Sequence, residues 1–300
     1  MIQKLLKGGI AVSHTLDRRF GRGGSIASLL ARQLILRMRA DYLEKRSDGL
    51  LACGFKAYSQ HDEDGIIQEI FRRIGTTNKV FVEFGCGSGL ENDTLYLLLS
   101  GWSGVWMDGS QGNLESLRSL HNAALKRGSL KAEQCMVTAE NVDETLFRLC
   151  ATKTIDLLSI DIDGNDYWVW KAIESVTPRV VVVEYNATFR PPVRVVQEYR
   201  PDACWNGTNF YGASLKALEQ LASSKGYELV GCNLAGQAAF FVHRDCIKGN
   251  FSPPFTAEHH YMPANFDLFP LVKGHDHPPG VGSYVLLDAE HAPVGVSNAR

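Results

Sequence analysis

The sequence predicts an α/β domain: a mostly parallel seven-stranded sheet with helices on both faces and an antiparallel hairpin at its C-terminal end. From about residue 60, short β-rich apolar runs alternate with helical stretches, which is typical of parallel strands joined by crossover helices. Two closely spaced apolar runs then follow, separated by a turn that holds Gly236, as in a hairpin. The chain has 300 residues and 45% apolar content, enough to bury one large core.

Five apolar runs are predicted to form the parallel strands: Lys79–Phe84, Gly104–Asp108, Gln134–Thr138, Ile155–Asp161 and Arg179–Glu184. Helices are predicted between them, near residues 62–74, 111–127, 141–150 and 166–175. A further helix over Ser214–Lys225 leads into the hairpin strands Tyr227–Cys232 and Ala238–His243. We therefore expect an N-terminal basic helical extension over residues 1–50, a central domain over 51–250, and an irregular C-terminal extension over 251–300 that packs on the domain.

Composition excludes several classes of protein. The net charge of −2 gives no general attraction for nucleic acids. The seven cysteines are odd in number and lack a CxxC pair, so neither a disulfide framework nor a zinc site is expected, and a reducing cytoplasm suits them. No apolar stretch approaches the roughly 20 residues that span a bilayer, and the start lacks signal-peptide features, so we expect a cytoplasmic protein. Four histidines match no zinc spacing: His259, His260, His275 and His277.

The N-terminal region is basic, with ten Lys/Arg against four Asp/Glu in residues 1–50. Apolar residues recur there at helical spacing: Ile26, Leu29, Leu30, Leu34 and Met38. One interpretation is a helix packed on the domain with a solvated basic face. The other is an interfacial helix that contacts acidic lipid headgroups or a protein partner.

A glycine-rich loop follows the first predicted strand, with the sequence Gly85-Cys86-Gly87-Ser88-Gly89. Glycines at such positions let the backbone approach a ligand closely. A dinucleotide fingerprint needs a third glycine where Leu90 stands, whereas Gly89 fits the pattern GxGxG. The loop therefore indicates a nucleoside cofactor other than NAD.

Acidic residues extend this interpretation. Glu83 precedes the glycines, where it can orient the loop and receive a cationic amino group. Asp108 ends the next strand and can accept hydrogen bonds from both ribose hydroxyls. Ala139, Glu140 and Asn141 follow the third predicted strand, where an adenine edge would lie. Together these residues predict S-adenosylmethionine as the cofactor and the Rossmann-like fold of class I methyltransferases.

From about Tyr58 to Arg244, the sequence resembles the FkbM-like family of S-adenosylmethionine-dependent methyltransferases. The matching pieces are Tyr58–Gly65, Glu83–Gly89, Trp106–Ser110, Ser159–Asp166 and Glu184–Asn186. The resemblance implies a hydroxyl acceptor, often on a sugar. It also implies cofactor contacts from Gln60 and Glu63, and from Gly109 and Ser110 beside Asp108. As an alternative, residues 62–64 cap the helix that follows them.

Further acidic residues lie at the ends of the fourth and fifth strands, where Asp161, Asp163, Glu184 and Asn186 should meet. In one interpretation, Asp161, Glu184 and Asn186 bind Mg²⁺, which lowers the pKa of an acceptor hydroxyl. In the other, no metal is needed and Asp161 or Asp163 is the general base, while Glu184 and Asn186 orient the acceptor. Asp161 is also a predicted cofactor contact.

The sequence thus predicts an O-methyltransferase that acts on a hydroxyl of a sugar, a glycan or a related metabolite. A second hypothesis is a cofactor-binding or scaffold protein that lost turnover, and a third is an NAD-dependent oxidoreductase, which Leu90 disfavours. Three aromatic residues after the acidic run, Tyr167, Trp168 and Trp170, are predicted to be core rather than sugar-binding.

Overall fold

The computed structural model describes residues 26–45, 49–265, 279–280 and 282–288. Its strands are β1 Val80–Phe84, β2 Ser103–Asp108, β3 Leu130–Gln134, β4 Thr154–Ile160, β5 Thr177–Glu184, β6 Val195–Gln197, β7 Tyr227–Cys232, β8 Ala238–His243 and β9 Tyr284–Leu286. Its α-helices are α1 Ile26–Lys45, α2 Glu63–Ile74, α3 Leu95–Leu99, α4 Gln111–Leu120, α5 Asn122–Arg127, α6 Val142–Leu149, α7 Asp166–Ala172, α8 Leu215–Ser224 and α9 Ala257–His260. Two short 3₁₀ turns cover Leu50–Cys53 and Arg244–Cys246.

Seven strands form the main sheet in the order β3-β2-β1-β4-β5-β8-β7. β1 to β5 are parallel, whereas β8 is antiparallel to β5 and to β7. The chain winds outward from β1 in one direction and then restarts from β4 in the other, so a crevice opens between the carboxyl ends of these two strands. This strand order confirms the predicted class I methyltransferase fold.

The core lies on both faces of the sheet. Phe81 of β1 packs with residues of α2 to α5, whereas Val82 and Phe84 pack with residues of α6 to α8. A strand covered on both faces has no solvent-exposed side, which is why β1, β4 and β5 are mostly apolar in the sequence. Tyr167 and Trp170 are each 1% exposed, so the prediction that they belong to the core is confirmed.

The third strand differs from the prediction: it covers Leu130–Gln134 and not Gln134–Thr138. β3 is one of the two edge strands, and only its first residue, Leu130, is buried, so its sequence, LKAEQ, contains no apolar run. The stretch 111–127 is likewise broken at His121 into α4 and α5. The other predicted strands and helices agree with the structure to within about three residues at each end.

Two regions flank the sheet. In α1, Ile35, Met38 and Tyr42 pack against Leu51 and Leu234. Past residue 251 the described residues contain α9 and β9, and β9 pairs with β6 in a separate two-stranded sheet. No helix among the described residues is long and apolar enough to cross a membrane. Residues 1–25 of the predicted basic extension, along with His275 and His277, lie outside the described residues.

Candidate active site

A cavity of about 660 Å³ opens at the carboxyl ends of the central strands. We call it the outer cavity. Its walls come from the loops after β1, β2, β3, β4 and β5, the hairpin turn before β8, and residues 203–205. A chamber of about 40 Å³, the inner chamber, adjoins it and shares six lining residues with it: Gln60, Gly85, Glu91, Asp161, Glu184 and Gln237.

The three glycines of the loop have different roles. All have positive φ, at 75° for Gly85, 55° for Gly87 and 73° for Gly89, which other residues adopt at a cost. A Cβ on Gly85 would collide with the carbonyl oxygen of Asp161, and one on Gly89 would press on the Trp106 ring. A Cβ on Gly87 would meet nothing within 4 Å, and Gly87 lines the outer cavity. Gly87 is therefore the glycine that leaves room for a ligand.

Asp108 lines the outer cavity at the end of β2, together with Gly109 and Ser110. One carboxylate oxygen accepts a hydrogen bond from the Gly87 amide at 2.9 Å. The other accepts from the Ser110 amide at 2.8 Å and from Asn113 Nδ2 at 3.1 Å. Asp108 is thus fixed in place by the backbone that follows β1 and β2.

Glu83 holds the segment that follows the glycine-rich loop. Its carboxylate accepts hydrogen bonds from Asn92 Nδ2 at 2.6 Å, from the Asp93 amide at 2.8 Å and from Thr94 Oγ1 at 2.5 Å. Glu83 is 3% exposed, and burial raises its pKa despite these bonds. Glu83 lines the inner chamber but not the outer cavity.

The segment before α2 also reaches the site. Gln60 lines both cavities, and Glu63 borders the inner chamber. Glu63 accepts hydrogen bonds from Asn233 Nδ2 at 2.6 Å and from the His61 amide at 2.8 Å. Burial would raise the pKa of Glu63, but hydrogen bonds and charge from His61 lower it to about 2. Asp62 occupies the cap position of α2 without a capping hydrogen bond from its side chain, and Glu63 lies in the first turn of the helix.

At the third strand, the predicted contacts are displaced. The residues that line the outer cavity there are Cys135, Met136 and Val137, whereas Ala139, Glu140 and Asn141 do not line it. The Ala139 amide donates to Tyr199 Oη, which donates to Glu140, and Asn141 Oδ1 accepts from the Thr138 amide. The reason is that β3 ends at Gln134, four residues earlier than predicted, so the chain passes the cavity sooner.

Three carboxylates meet at the ends of β4 and β5. One oxygen from each of Asp161, Asp163 and Glu184 lies within 4.8 Å of the others. Asp163 has a φ of 58°, a left-handed conformation that aspartate tolerates better than most residues. Glu184 Oε2 is buried and has no hydrogen-bond partner. The protein therefore leaves acceptor capacity unused at this point.

Electrostatic repulsion is strong in this group. Asp161 is open to the cavity but is otherwise enclosed by protein. That enclosure, followed by the charges of Asp163 and Asp166, raises its pKa well above the usual range. Burial and then the charge of Asp161 raise the pKa of Glu184 well above its usual range too. Such a group favours either a shared proton or a bound cation.

Asn186, predicted as a third metal ligand, has another role. Its Nδ2 donates to the carbonyl oxygens of Asn209 and Tyr211, both at 2.9 Å, and its Oδ1 accepts from the Thr188 amide at 3.0 Å. The side chain is fully buried in these contacts and does not line the outer cavity. Asn186 therefore holds the loop after β5, and Asp163 takes its place beside Asp161 and Glu184.

Gln237 and Asp93 are among the residues of the site that the sequence did not predict. Gln237 lines both cavities from the hairpin turn between β7 and β8. Asp93 borders the inner chamber and accepts a hydrogen bond from Ser159 Oγ at 2.7 Å. Burial and the charges of Glu63 and Glu83 raise the pKa of Asp93 well above its usual range. Gln237 was visible as a polar residue next to the turn glycine Gly236, but Asp93 gave no signal in the sequence.

No protein-family model matches the chain, and no curated protein matches it at the threshold applied. Among solved structures, it is similar to the N-terminal domain of EvdMO1 with SAH bound, at 15% identity and a TM-score of 0.40, covering 70% of this chain and 94% of that one. The O-methyltransferase from Bacillus cereus in complex with SAH is 17% identical, with a TM-score of 0.33 and coverage of 59% and 73%. The bifunctional kinase-methyltransferase WbdD is 15% identical, with a TM-score of 0.36 and coverage of 59% and 37%. These similarities are distant, and it is the strand order of the chain itself that gives it the class I methyltransferase fold.

Proposed function

We propose that this chain is an S-adenosylmethionine-dependent methyltransferase. The observation that carries the proposal is the charge of the outer cavity, which is lined by Glu91, Asp108, Asp161, Asp163 and Glu184. Among the described residues, neither lysine nor arginine lines it. S-adenosylmethionine has a sulfonium and an ammonium against one carboxylate, so a negative cavity attracts it. A dinucleotide would bring a pyrophosphate, which the same carboxylates repel.

The proposed cofactor contacts follow from the residues that border the two cavities. Asp108 would accept the ribose hydroxyls, with Gly109 and Ser110 beside it, and Gly87 would allow the backbone to approach. Cys135 to Val137 would contact the adenine edge. Gln60, Glu63 and Glu83 border the inner chamber and are the candidates for the methionine end.

The acceptor that we propose is a hydroxyl of a sugar, a glycan or a related metabolite, which rests on the FkbM-like motifs. S-adenosylmethionine supplies an activated methyl group. As the new O–C bond forms and the S–C bond breaks, the hydroxyl must lose its proton. Asp161 or Asp163 would accept that proton, and the raised pKa of Asp161 makes it a stronger base than an ordinary aspartate.

Magnesium binding is the alternative at the same carboxylates. Asp161, Asp163 and Glu184 offer three oxygens of the kind that Mg²⁺ prefers, and Glu184 Oε2 has no protein partner. A bound metal would lower the pKa of the acceptor hydroxyl directly. Dialysis against EDTA separates the two routes: turnover that survives supports the metal-free base, and turnover that returns only with Mg²⁺ supports the metal.

Calorimetry tests the cofactor. The full chain should bind S-adenosylhomocysteine, with no heat of binding for NAD⁺ at the same concentration. Binding of NAD⁺ without S-adenosylhomocysteine would overturn the proposal. If S-adenosylhomocysteine binds, labelled S-adenosylmethionine is then offered with nucleotide sugars, oligosaccharides and small alcohols. Methyl transfer to one of these supports the enzyme, whereas tight binding without transfer to any acceptor favours the scaffold hypothesis.

A further inference from the structure

A third cavity, of about 410 Å³, adjoins the outer cavity, and we call it the side cavity. Ala203 and Cys204 line both cavities, so they form the boundary between the two. The other walls of the side cavity come from β6, the loop that follows it, and the residues just before β9. Its volume lies in the range of about 300–1,000 Å³ that is usual for small-molecule sites. A ligand that reacts in the outer cavity can therefore extend into the side cavity.

The wall of the side cavity is attached to the segment that follows the reactive carboxylates. Asn165, two residues after Asp163, lines the outer cavity, and its Nδ2 donates to the carbonyl oxygen of Arg200 at 2.7 Å. Trp168 Nε1 on α7 donates to the carbonyl oxygen of Gln197 at 2.8 Å. Arg200 and Gln197 both line the side cavity. These two hydrogen bonds therefore fix the position of the side cavity relative to the ends of β4 and β5.

Two amide side chains of the side cavity are oriented by the protein. Gln197 is 7% exposed, and its Oε1 accepts a hydrogen bond from the Gly212 amide at 3.1 Å. Asn206 Oδ1 accepts from the Thr208 amide at 3.2 Å and from the Thr208 hydroxyl at 2.6 Å. In both side chains the oxygen is engaged by the protein, so the NH₂ group is the part that is left to donate to a ligand.

Hydrogen-bond acceptors and an aromatic ring complete the lining. Glu198 and Asp202 supply carboxylate oxygens, and Phe210 is partly exposed. A sugar hydroxyl both donates and accepts hydrogen bonds, and the C–H groups of a sugar ring offer an apolar face to an aromatic side chain. Amide donors, carboxylate acceptors and one ring in the same cavity therefore match a sugar better than an apolar alcohol.

The charge of the two cavities restricts the kind of sugar. Among the residues that the structure describes, seven carboxylates line the outer and side cavities, against the single guanidinium of Arg200. Arg200 Nη2 lies 3.4 Å from the carboxylate of Glu198, and its side chain is 63% exposed, so solvent and Glu198 weaken its effect. S-adenosylmethionine carries one net positive charge and offsets only part of this excess. A phosphate on the acceptor would be repelled, whereas an uncharged sugar would not.

We propose that the side cavity binds the methyl acceptor and that this acceptor is an uncharged sugar. The proposal rests on the methyltransferase function proposed above. The reacting hydroxyl would lie in the outer cavity beside Asp161 and Asp163, while the remainder of the sugar passes Ala203 and Cys204 into the side cavity. Sugar phosphates and nucleotide sugars carry the same hydroxyls but are excluded by their charge.

Ligand-observed NMR tests the proposal through binding, without turnover. Calorimetry first establishes that the full chain binds S-adenosylhomocysteine. The chain saturated with S-adenosylhomocysteine is then offered the methyl glycosides of glucose, galactose, mannose and rhamnose, and separately the 1-phosphates of the same sugars. We expect saturation transfer to at least one methyl glycoside, and the matching phosphate should bind roughly tenfold more weakly or worse because of the negative cavities.

Ser283→Trp should block the side cavity, because Ser283 is an exposed residue of its lining. Binding of the methyl glycoside should weaken roughly tenfold, while the affinity for S-adenosylhomocysteine changes less than about twofold. Ser119→Trp is the matched control, since Ser119 is exposed on α4 and lines neither cavity. If Ser283→Trp fails to fold, Asp202→Asn replaces it and should reduce the preference for the glycoside over the phosphate about threefold. Asp245→Asn, at a carboxylate outside both cavities, should leave that preference unchanged.

The outcomes separate this inference from the proposed function. If the chain binds S-adenosylhomocysteine but none of the methyl glycosides, the inference is wrong and the cofactor proposal stands. Equal binding of the glycoside to wild type and Ser283→Trp, or phosphates that bind as tightly as the glycosides, would also overturn the inference. A chain that fails to bind S-adenosylhomocysteine would overturn the proposed function, and the assignment of the acceptor with it.

Discussion

The carboxylates on the two sides of the site differ in how many hydrogen bonds they accept from the protein. On the side of β1 and β2, Glu83 and Asp108 each accept three hydrogen bonds from neighbouring protein groups. On the side of β4 and β5, Asp161, Asp163 and Glu184 crowd within 4.8 Å, and Glu184 Oε2 is buried without a partner. Both halves sit at the carboxyl ends of parallel strands, so position in the fold does not explain the difference.

Hydrogen bonding distinguishes the two groups, although burial raises the pKa of Glu83 as well as that of Asp161. Donors from the protein favour the charged form and hold it still, which suits recognition of a fixed hydroxyl pattern. Crowding without enough donors raises the pKa, which suits proton transfer or cation binding. The four predictions that follow test this division.

The largest effect is expected at Asp161. Asp161→Asn removes the proposed base while keeping the shape of the side chain, so kcat should fall roughly 10²- to 10⁴-fold. The affinity for S-adenosylhomocysteine should change less than about threefold, because the bonds at Asp108 are untouched. Single-turnover kinetics and calorimetry measure the two separately. If the affinity for S-adenosylhomocysteine and kcat fell by the same factor, Asp161 would be a cofactor-binding residue and not the base.

The pH profile sharpens this prediction. As a base, Asp161 works only when deprotonated, and burial, followed by the charges of Asp163 and Asp166, raises its pKa. Wild-type turnover should therefore fall as the pH drops through a value well above the ordinary aspartate pKa of about 3.9, and Asp161→Asn should lack that step. The same group affects stability in the opposite direction. Because the pKa of Asp161 is higher in the folded protein than in the unfolded chain, the free energy of unfolding decreases as the pH rises between these two pKa values.

A smaller effect is expected at Asp108. Asp108→Ala removes charge-assisted hydrogen bonds to the proposed ribose, so the affinity for S-adenosylhomocysteine should fall roughly 10- to 100-fold. Glu115→Ala on α4 is the control, since Glu115 is exposed and lines neither cavity. Isothermal calorimetry compares the two. Unchanged affinity in Asp108→Ala would remove this residue from the cofactor site.

The hydrogen bonds around Glu83 should matter for folding. Thr94 Oγ1 donates to Glu83 and accepts from Trp106 Nε1 at 2.6 Å, all in the interior. Thr94→Val leaves Trp106 Nε1 without an acceptor and removes one of the three hydrogen bonds to Glu83, so the free energy of unfolding should fall by about 2 kcal/mol. A Tm lowered by roughly 4–8 °C in calorimetry is the expected sign. Thr94→Ser keeps the hydroxyl and should lose less than half as much.

The smallest effect is expected at Glu184, where a substitution should increase the stability of the protein. Glu184→Gln removes one charge from a crowded group, so stability should rise by about 0.5–1 kcal/mol near neutral pH. The acid limb of the turnover profile should also move to lower pH, because Asp161 loses a repelling neighbour. Denaturant unfolding measures the change in stability, and the pH profile of turnover measures the shift of the acid limb. A less stable variant would show that Glu184 makes stabilising contacts with the protein, as Glu83 does.

Local sequence features predicted much of this molecule. The buried strands β1, β4 and β5 are mostly apolar, and Gly85, Gly87 and Gly89 adopt the positive φ that glycine permits. The residues at the strand ends could be placed from chain order alone, since parallel strands bring their carboxyl ends together.

What could not be predicted depends on contacts between distant parts of the chain. In β3 only Leu130 is buried, so the strand lacks an apolar run and its end was placed four residues late. Asn186 has the chemistry of a metal ligand, but three partners from residues 188 to 211 occupy its amide. Asp93 became part of the site only because Ser159 and Glu83 lie next to it in space.

The contact between Arg39 and Asp62 has a practical consequence. Arg39 Nη2 on α1 lies 3.1 Å from the carboxylate of Asp62, which is buried and also accepts from the Leu234 amide. Burial raises the pKa of Asp62 to about 6, and Arg39 is the cation that opposes this. A protein shortened to begin near residue 50 would leave that carboxylate without its counter-ion, two residues from Gln60. Anyone trimming the chain for crystallisation should therefore keep the helix, because removing it would leave a buried carboxylate unpaired beside the outer cavity.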